Sequence, residues 1–394
     1  MSSLIVKSFS SYQIPAGWRN WLILSVESHD GVFGFSEFTD SNGSEATLMT
    51  AINEIGNLLK NKKFYTVEEI VLNLRHKYRQ ALPGIMFKAI SAFENALWDL
   101  KSKSEGEPIS SYFSTSNLVL KNQIFKCYWS HCPTTRIRAS EHIGIKPIQN
   151  FADLVELGKE ISKLKFPAFK TNLIQLAPSP AVLMPGFNKN FDLIAKSIPK
   201  NYSENFRSIL DSIINGSTEF EIIIDFNYNL DYTNFTSIQN SIQGLKIRWL
   251  EIDFDDIELY ERVLRNKQFP ICTGENILGA YNYENILNDD RIDIISIDLL
   301  WNGLQESLKI AEKAVARNKK ITVHNYCGSL ATSMALVFLS MLPSDSIELL
   351  EYDYDDVRWR DTIVSNPVKF SNGSIEYIPG QGWNNNFLPN SLKP

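Results

Sequence analysis

Eight short apolar runs, each turning polar at its end, recur through the second two thirds of the chain. They are QIFKCYWS, FPAFKTNLI, EIIIDFNYN, IRWLEID, ICTGEN, IISIDLL, ITVHNY and IELLEYD. Each is rich in β-branched residues and is followed by a polar stretch of helical character. Continuous apolar strands alternating with helices predict a parallel sheet buried on both faces. Eight such units, starting near residue 122, predict a (β/α)8 barrel, an architecture of about 250 residues. One step is long: Lys170 and Asp225 are 55 residues apart, with APSPAVLMPGFNKN between them. That spacing predicts an extended loop and an extra helix.

The first 118 residues follow a different pattern. WLILSVESHDGVFGFSEFT (21–39) reads as two strands around an Asp30-Gly31 turn, a strong hairpin signal. Apolar residues then recur at helical spacing near 45–61, 66–79 and 86–104, the last stretch closing at Gly106. The tail, NGSIEYIPGQGWNNNFLPN, reads as a strand followed by coil that packs back on the first domain. The expected architecture is therefore an α/β protein with two domains. An α+β capping domain spans 1–118 and is completed by about 366–394. A modified (β/α)8 TIM barrel spans 119–365.

Composition narrows the function. The chain has 394 residues, is 44% hydrophobic and 21% charged, and carries a net charge of −6. It lacks the basic footprint of a nucleic-acid binder. The start, MSSLIVKSFSS, is not expected to be a signal peptide, and LATSMALVFLSML (330–342) is too short to span a membrane and reads as a buried helix. No nucleic-acid or membrane partner is expected. Cys127, Cys132, Cys272 and Cys327 show no CxxC spacing and read as reduced, packed thiols of a cytoplasmic protein.

Candidate chemistry sits where the runs turn polar, in the order Lys170, Asp225, Glu251, Glu275, Asp298, His324, Glu351. From Asp225 onward the steps are 26, 24, 23, 26 and 27 residues, one βα unit each. Equivalent points on successive strands converge at the C-terminal mouth of a barrel, where such enzymes keep their sites. Asp225, Glu251 and Glu275 form a hard oxygen cluster. Three carboxylates at close range do not stay ionised together without a cation, and Mg²⁺, with Mn²⁺ as a substitute, fits them. Lys170 is expected to neutralise one of them, not three. Asp298 beside His324 fixes the imidazole tautomer and raises its pKa, as proton transfer requires.

At these residues the chain resembles the enolase superfamily, mandelate racemase/muconate lactonizing enzyme-like group. The signature runs through AFKTN, DFN, WLEID, TGEN, SIDLLWNG, VHNY and LLEY, after a cap ending in SAFENALWDLKSKSEGEPI. The resemblance implies that Asp225, Glu251 and Glu275 bind Mg²⁺, that His324 with Asp298 is a general acid/base, and that Glu351 hydrogen-bonds the substrate carboxylate or its enediolate. It also implies abstraction of the proton α to a carboxylate and a symmetric homo-oligomer. The group usually carries Lys-x-Lys on the second barrel strand, the second lysine being a base on the face opposite the histidine. Here the pair is Lys170 and Asn172, and an amide only donates or accepts hydrogen bonds.

The departure favours a one-base reaction: a hydro-lyase that dehydrates an acid sugar to a 2-keto-3-deoxy acid, with His324, Asp298 and Lys170 as the catalytic set. Asn172, Glu351, Asn227, His131 and Arg19 are the expected substrate contacts. His131 in CYWSHC is also a stand-in base, as is Lys170. Trp18, Tyr128, Trp129 and Trp301 are candidates to stack on a sugar face, and residues 11–20, 41–45 and 175–188 to cover the mouth. The alternatives are a racemase, epimerase or cycloisomerase on the same scaffold, or a catalytically silent carboxylate-binding homologue.

Overall fold

The structure, a computed structural model, describes residues 4–40, 44–113, 122–183, 201–227, 231–253 and 256–392. The chain opens with strands β1 (Leu4–Ala16), β2 (Arg19–Ser28) and β3 (Phe33–Glu37). Helix α1 (Glu45–Leu59), the two-residue β4 (Lys63–Phe64), α2 (Val67–Lys77) and α3 (Ile85–Glu105) follow. The four strands form one sheet in the order β3-β2-β1-β4. The hairpin around Asp30-Gly31 and the three helices stand where the pattern places them. β1 was not expected. Residues 11–20, read as a covering loop, are instead the end of β1, a two-residue turn and the start of β2, with Ala16 paired to Arg19. Gly17 makes that turn possible at φ +74°, a left-handed conformation that costs glycine little.

The eight expected barrel strands all form. They are β5 (Gln123–Trp129) and β6 (Ala168–Asn172), then β9 (Glu221–Asp225), β10 (Ile247–Glu251), β11 (Ile271–Thr273), β12 (Ile294–Ile297), β13 (Lys320–Val323) and β14 (Ile347–Tyr352), with the short hairpin β7 (Ile174–Gln175) and β8 (Ala181–Val182) after the second. All eight pair in parallel, and β14 closes on β5. Tyr128, Ala168, Ile223, Trp249, Cys272, Ile294 and Leu349 fill the inside, so the barrel is a packed core and not a pore.

Helices α4 (Cys132–Arg138), α5 (Ser140–Ile143) and α6 (Phe151–Lys163) follow β5. α7 (Tyr202–Gly216) follows β6, α8 (Tyr232–Ser241) follows β9, and α9 (Ile257–Arg265) follows β10. α10 (Glu284–Leu287) follows β11, α11 (Leu299–Asn302) and α12 (Leu304–Ala316) follow β12, and α13 (Ser329–Ser340) follows β13. The apolar 330–342 stretch is indeed a helix buried along its length. After β14 comes a 3₁₀ turn, Arg360–Ile363, in place of a helix, which makes the barrel a modified one. The extra helix expected in the long step, and residues 184–188 of the expected lid, lie outside the described residues, as do residues 41–43.

The tail divides its contacts. β15 (Phe370–Ser371) and β16 (Ser374–Tyr377) form a hairpin that pairs antiparallel with the first half of β5, so this strand belongs to the barrel's lower edge. The coil beyond it packs on the cap. Trp383 Nε1 donates to Phe35 O at 2.9 Å, and Trp383 N donates to Asp99 Oδ1 at 2.8 Å.

Cap and barrel are joined by buried polar side chains. Glu37, at the end of β3, accepts from Gly328 N and Ala331 N at the start of α13. Asn95 and Glu94 of α3 accept from Leu304 N and Gln305 N at the start of α12. Cap carboxylates thus satisfy donors that every barrel helix leaves open at its N-terminus.

Candidate active site

Parallel register brings the strand ends together. Asn172 pairs with Asp225, and Asp225 with Glu251. Glu275 lies two residues beyond β11, past Gly274 at φ +120°, where a Cβ would meet Ser296 O at 2.9 Å. Asp298 and His324 follow the last residues of β12 and β13, which are themselves paired. The expected set is therefore assembled at the barrel's C-terminal mouth.

Lys170 is the hub. Its side chain has no exposed surface, and Nζ lies 2.8 Å from Glu351 Oε1, 3.1 Å from Glu251 Oε1 and 3.7 Å from Asp225 Oδ2. It thus serves two of the three metal-type acids, where only one was expected. Burial alone pulls its pKa down, but Glu251, Glu351 and Asp225 outweigh that and hold it well above the ordinary lysine value. A lysine in this state is a fixed positive charge and not a base.

Glu351 is held on all sides. Ser130 Oγ donates to its Oε1 at 2.6 Å and Asn325 N to its Oε2 at 2.6 Å. Although burial opposes ionisation, Lys170 and then His324 keep its pKa well below the ordinary glutamate value. Asp225 is lowered in the same way, by Lys170 and His131 against burial.

Glu251 and Glu275 are displaced upward. Burial is the main cause for both, with Asp225 and Glu351 adding repulsion at Glu251 and Asp253 and Glu251 adding it at Glu275. Asp253 is a fourth acid that the sequence reading passed over. Burial, then Asp225 and Glu251, push it up to about 7. It sits two residues after Glu251, so strand alternation was the available signal. Carboxylates thus outnumber the cations Lys170 and His324. Among the described residues no three of these groups are already gathered into an ion cage. The surplus of buried oxygen donors, with repulsion adding to the burial that lifts Glu251, Asp253 and Glu275, fits a hard divalent cation on Asp225, Glu251 and Glu275.

His324 Nδ1 lies 2.7 Å from Asp298 Oδ2, and its Nε2 is turned toward Glu275 Oε2 at 3.8 Å. Burial lowers the imidazole pKa, but Glu275 and Asp298 reverse this and lift it to about 10. Asp298 Oδ1 also accepts from Trp301 N at 2.8 Å, so one carboxylate caps α11 and orients the histidine.

The opposite side is different. Asn172 is buried, and its Nδ2 lies 3.5 Å from Asp225 O. His131, at φ +50°, is buried beside the acids. Its Nε2 is 3.0 Å from Asp225 Oδ2 and its Nδ1 is 2.8 Å from Ser130 Oγ. Both ring nitrogens are engaged, and burial and Lys170 hold its pKa below the ordinary value. Asn227, at φ +48°, donates its N–H to Asp225 Oδ1 at 2.8 Å, so it braces a metal-type acid.

Arg19 departs from expectation. It is buried, donating to Asp353 Oδ2 at 2.6 Å, Asp356 Oδ2 at 2.8 Å and Tyr326 O at 2.8 Å. Its guanidinium clasps the cap hairpin to the loop after β14 and has no free face for a distal substrate group. Tyr128 lies inside the barrel against Trp249, and Trp129 packs outside it against Phe166 and Tyr354. Neither is placed to stack on a sugar. Trp301 stands 5.3 Å from the His324 ring, and Trp18 stacks on Tyr326.

Residues 195–386 match the enolase C-terminal domain-like family, and residues 16–113 match the mandelate racemase/muconate lactonizing enzyme N-terminal domain. D-galactonate dehydratase from Pectobacterium atrosepticum is 22% identical over 84% of this chain and 77% of its own length. D-galactarolactone cycloisomerase from Agrobacterium fabrum is 22% identical over 95% of this chain and 90% of its own. A crystal structure from Burkholderia xenovorans, described as a candidate L-alanine-DL-glutamate epimerase bound to magnesium and fumarate, is 26% identical and superimposes with a TM-score of 0.90. It covers 99% of this chain and 95% of its own. No helix of the described residues is long and apolar enough to cross a membrane. The two matched domains, the closed barrel and the ordered carboxylates at its mouth place this chain in the enolase superfamily, within the mandelate racemase/muconate lactonizing enzyme-like group.

Proposed function

We propose that the protein is a Mg²⁺-dependent dehydratase of an acid sugar, working with one proton carrier. The observation that carries this reading is the asymmetry across the mouth. One side holds His324, oriented by Asp298 at 2.7 Å. The other holds Asn172, whose amide does not take up or release a proton near neutral pH, with Lys170 fixed by three carboxylates and His131 engaged at both nitrogens. Proton transfer through two faces, as in racemisation, uses two carriers; elimination uses one.

Asp225, Glu251 and Glu275 would hold Mg²⁺. When bound, it supplies Lewis-acid neutralisation of the charge developing on the substrate carboxylate. Lys170 adds a fixed positive charge at the same end, and Glu351, 2.8 Å from its Nζ, holds that ammonium in place. In its neutral form His324 Nε2 takes the α-proton, and Asp298 stabilises the resulting imidazolium. That imidazolium then gives its proton to the β-hydroxyl on the same face. The C–H and C–O bonds break, a C=C bond forms, water departs, and the enol tautomerises to the 2-keto-3-deoxy acid.

The test is incubation of a panel of aldonic and aldaric acids with Mg²⁺, reading out 2-keto-3-deoxy product. Wild type should form the keto acid from at least one sugar, and His324→Asn should form none. Accumulation of an epimer without keto acid overturns the reading.

A further inference from the structure

We propose that Lys88 and Asp40, both from the cap, form the subsite for the far end of the substrate, and that this subsite selects a hydroxyl-ended aldonic acid over a carboxylate-ended aldaric acid. The proposal rests on the dehydratase reading and names the substrate class within it.

Lys88 Nζ lies 3.0 Å from Asp40 Oδ2 and 3.6 Å from the centre of the Trp301 ring. Trp301 is the wall of the catalytic histidine, with ring centres 5.3 Å apart, and its Nε1 donates to Thr39 O at 3.0 Å. The two ring distances place the ammonium within about 9 Å of the imidazole centre. A base lies about 3 Å from the proton it abstracts. Four bonds of extended carbon chain, from C2 to C6 of a six-carbon acid, cover about 5 Å. A six-carbon chain whose α-carbon meets His324 is therefore long enough to span to the pair. The Lys88 side chain keeps 16% of its surface exposed, whereas Asp40 keeps 4% and its Oδ2 also accepts from Ser44 Oγ.

The pair's chemistry decides what it accepts. A hydroxyl donates to the carboxylate and accepts from the ammonium at once. A second carboxylate would find the ammonium already neutralised and a like charge 3.0 Å behind it. Two carboxylates facing one ammonium repel each other, so Asp40 acts as a repulsive element against diacids.

The experiment uses the full-length protein with Mg²⁺ and a pair of six-carbon acids of identical stereochemistry that differ only at C6. Binding is measured by calorimetry and turnover by keto-acid formation. Wild type should bind the aldonate at least about tenfold more tightly than the aldarate. Asp40→Asn should reverse that order, because the released ammonium pairs with the distal carboxylate. Lys88→Met should weaken the aldonate about tenfold through KM, with the larger share of the effect absent from kcat. A purely structural role for the pair would lower both ligands together and leave the ratio alone. An unchanged ratio in Asp40→Asn, with the thermal midpoint retained, overturns the subsite. Binding with the expected ratio but no keto acid from either sugar would instead overturn the dehydratase reading and leave the subsite standing.

Discussion

Replacing Arg19 by Met tests whether this residue is a clasp or a substrate contact. Methionine retains an aliphatic stem between Trp18 and Tyr326, whose rings lie 4.9 and 4.5 Å from the guanidinium. It deletes the charge that faces Asp353 and Asp356, all three side chains being at most 4% exposed. Arg360 stays nearby, donating to Asp353 O and lying 3.7 Å from Asp356 Oδ2, and it offsets part of the loss at both acids. Removing one partner of a buried ion pair costs about 3–5 kcal/mol, which in a chain of this length lowers the thermal midpoint by roughly 4–6 °C. Burial already lifts the pKa of Asp353, and Arg19 is the main opposing influence. Without it, the folded-state pKa rises further. An acid with a raised folded pKa is destabilising above its unfolded value and costs progressively less as pH falls and it takes up a proton. The deficit of Arg19→Met should therefore be larger at pH 8 than at pH 5. Adding Asp353→Asn should recover a good part of it. Differential scanning calorimetry across that range checks both. A variant with the wild-type midpoint and a raised KM would show that Arg19 serves substrate and that the clasp argument is wrong.

Asp298→Asn removes one of the carboxylates, with Glu275 and Glu351, that raise the His324 pKa. The acid limb of the pH–rate profile should move to lower pH while kcat falls by about 10²–10⁴; a limb that stays in place would separate Asp298 from the titration. Lys170→Met removes the cation bound to Asp225 and Glu251, so the metal-free protein should melt earlier than wild type. Saturating Mg²⁺, worth about 2.7 kcal/mol at a hundred times Kd, should raise the variant's midpoint more than the wild type's; an equal rise would show that Lys170 and the cation do not share those acids.

Much of this molecule was legible in its sequence, for a physical reason. Parallel barrel strands are buried on both faces, so Glu221–Asp225 and Ile271–Thr273 read as unbroken apolar runs. The fold then places whatever ends each run at one mouth, which is why the strand-end positions of Asp225, Glu251, Asp298 and His324 are legible from spacing. β1 was missed because it is half-exposed and alternates serine and glutamine with apolar residues; only its pairing with β2 makes it a strand. Arg19 was misjudged because its partners lie 334 and 337 residues away, a separation at which sequence carries no pattern. Lys88 and Asp40 escaped notice for the same reason: their link to His324 runs through Trp301, which belongs to the other domain.

One measurement bears most directly on the one-carrier claim. A turned-over acid sugar is incubated with Mg²⁺ in D₂O and followed by proton NMR, for wild type and His324→Asn. The account predicts keto-acid formation and any α-deuterium uptake only with retained configuration in wild type, and neither process in the variant. α-Exchange that survives in His324→Asn, or an epimer accumulating in wild type, would reveal a second proton carrier and contradict it.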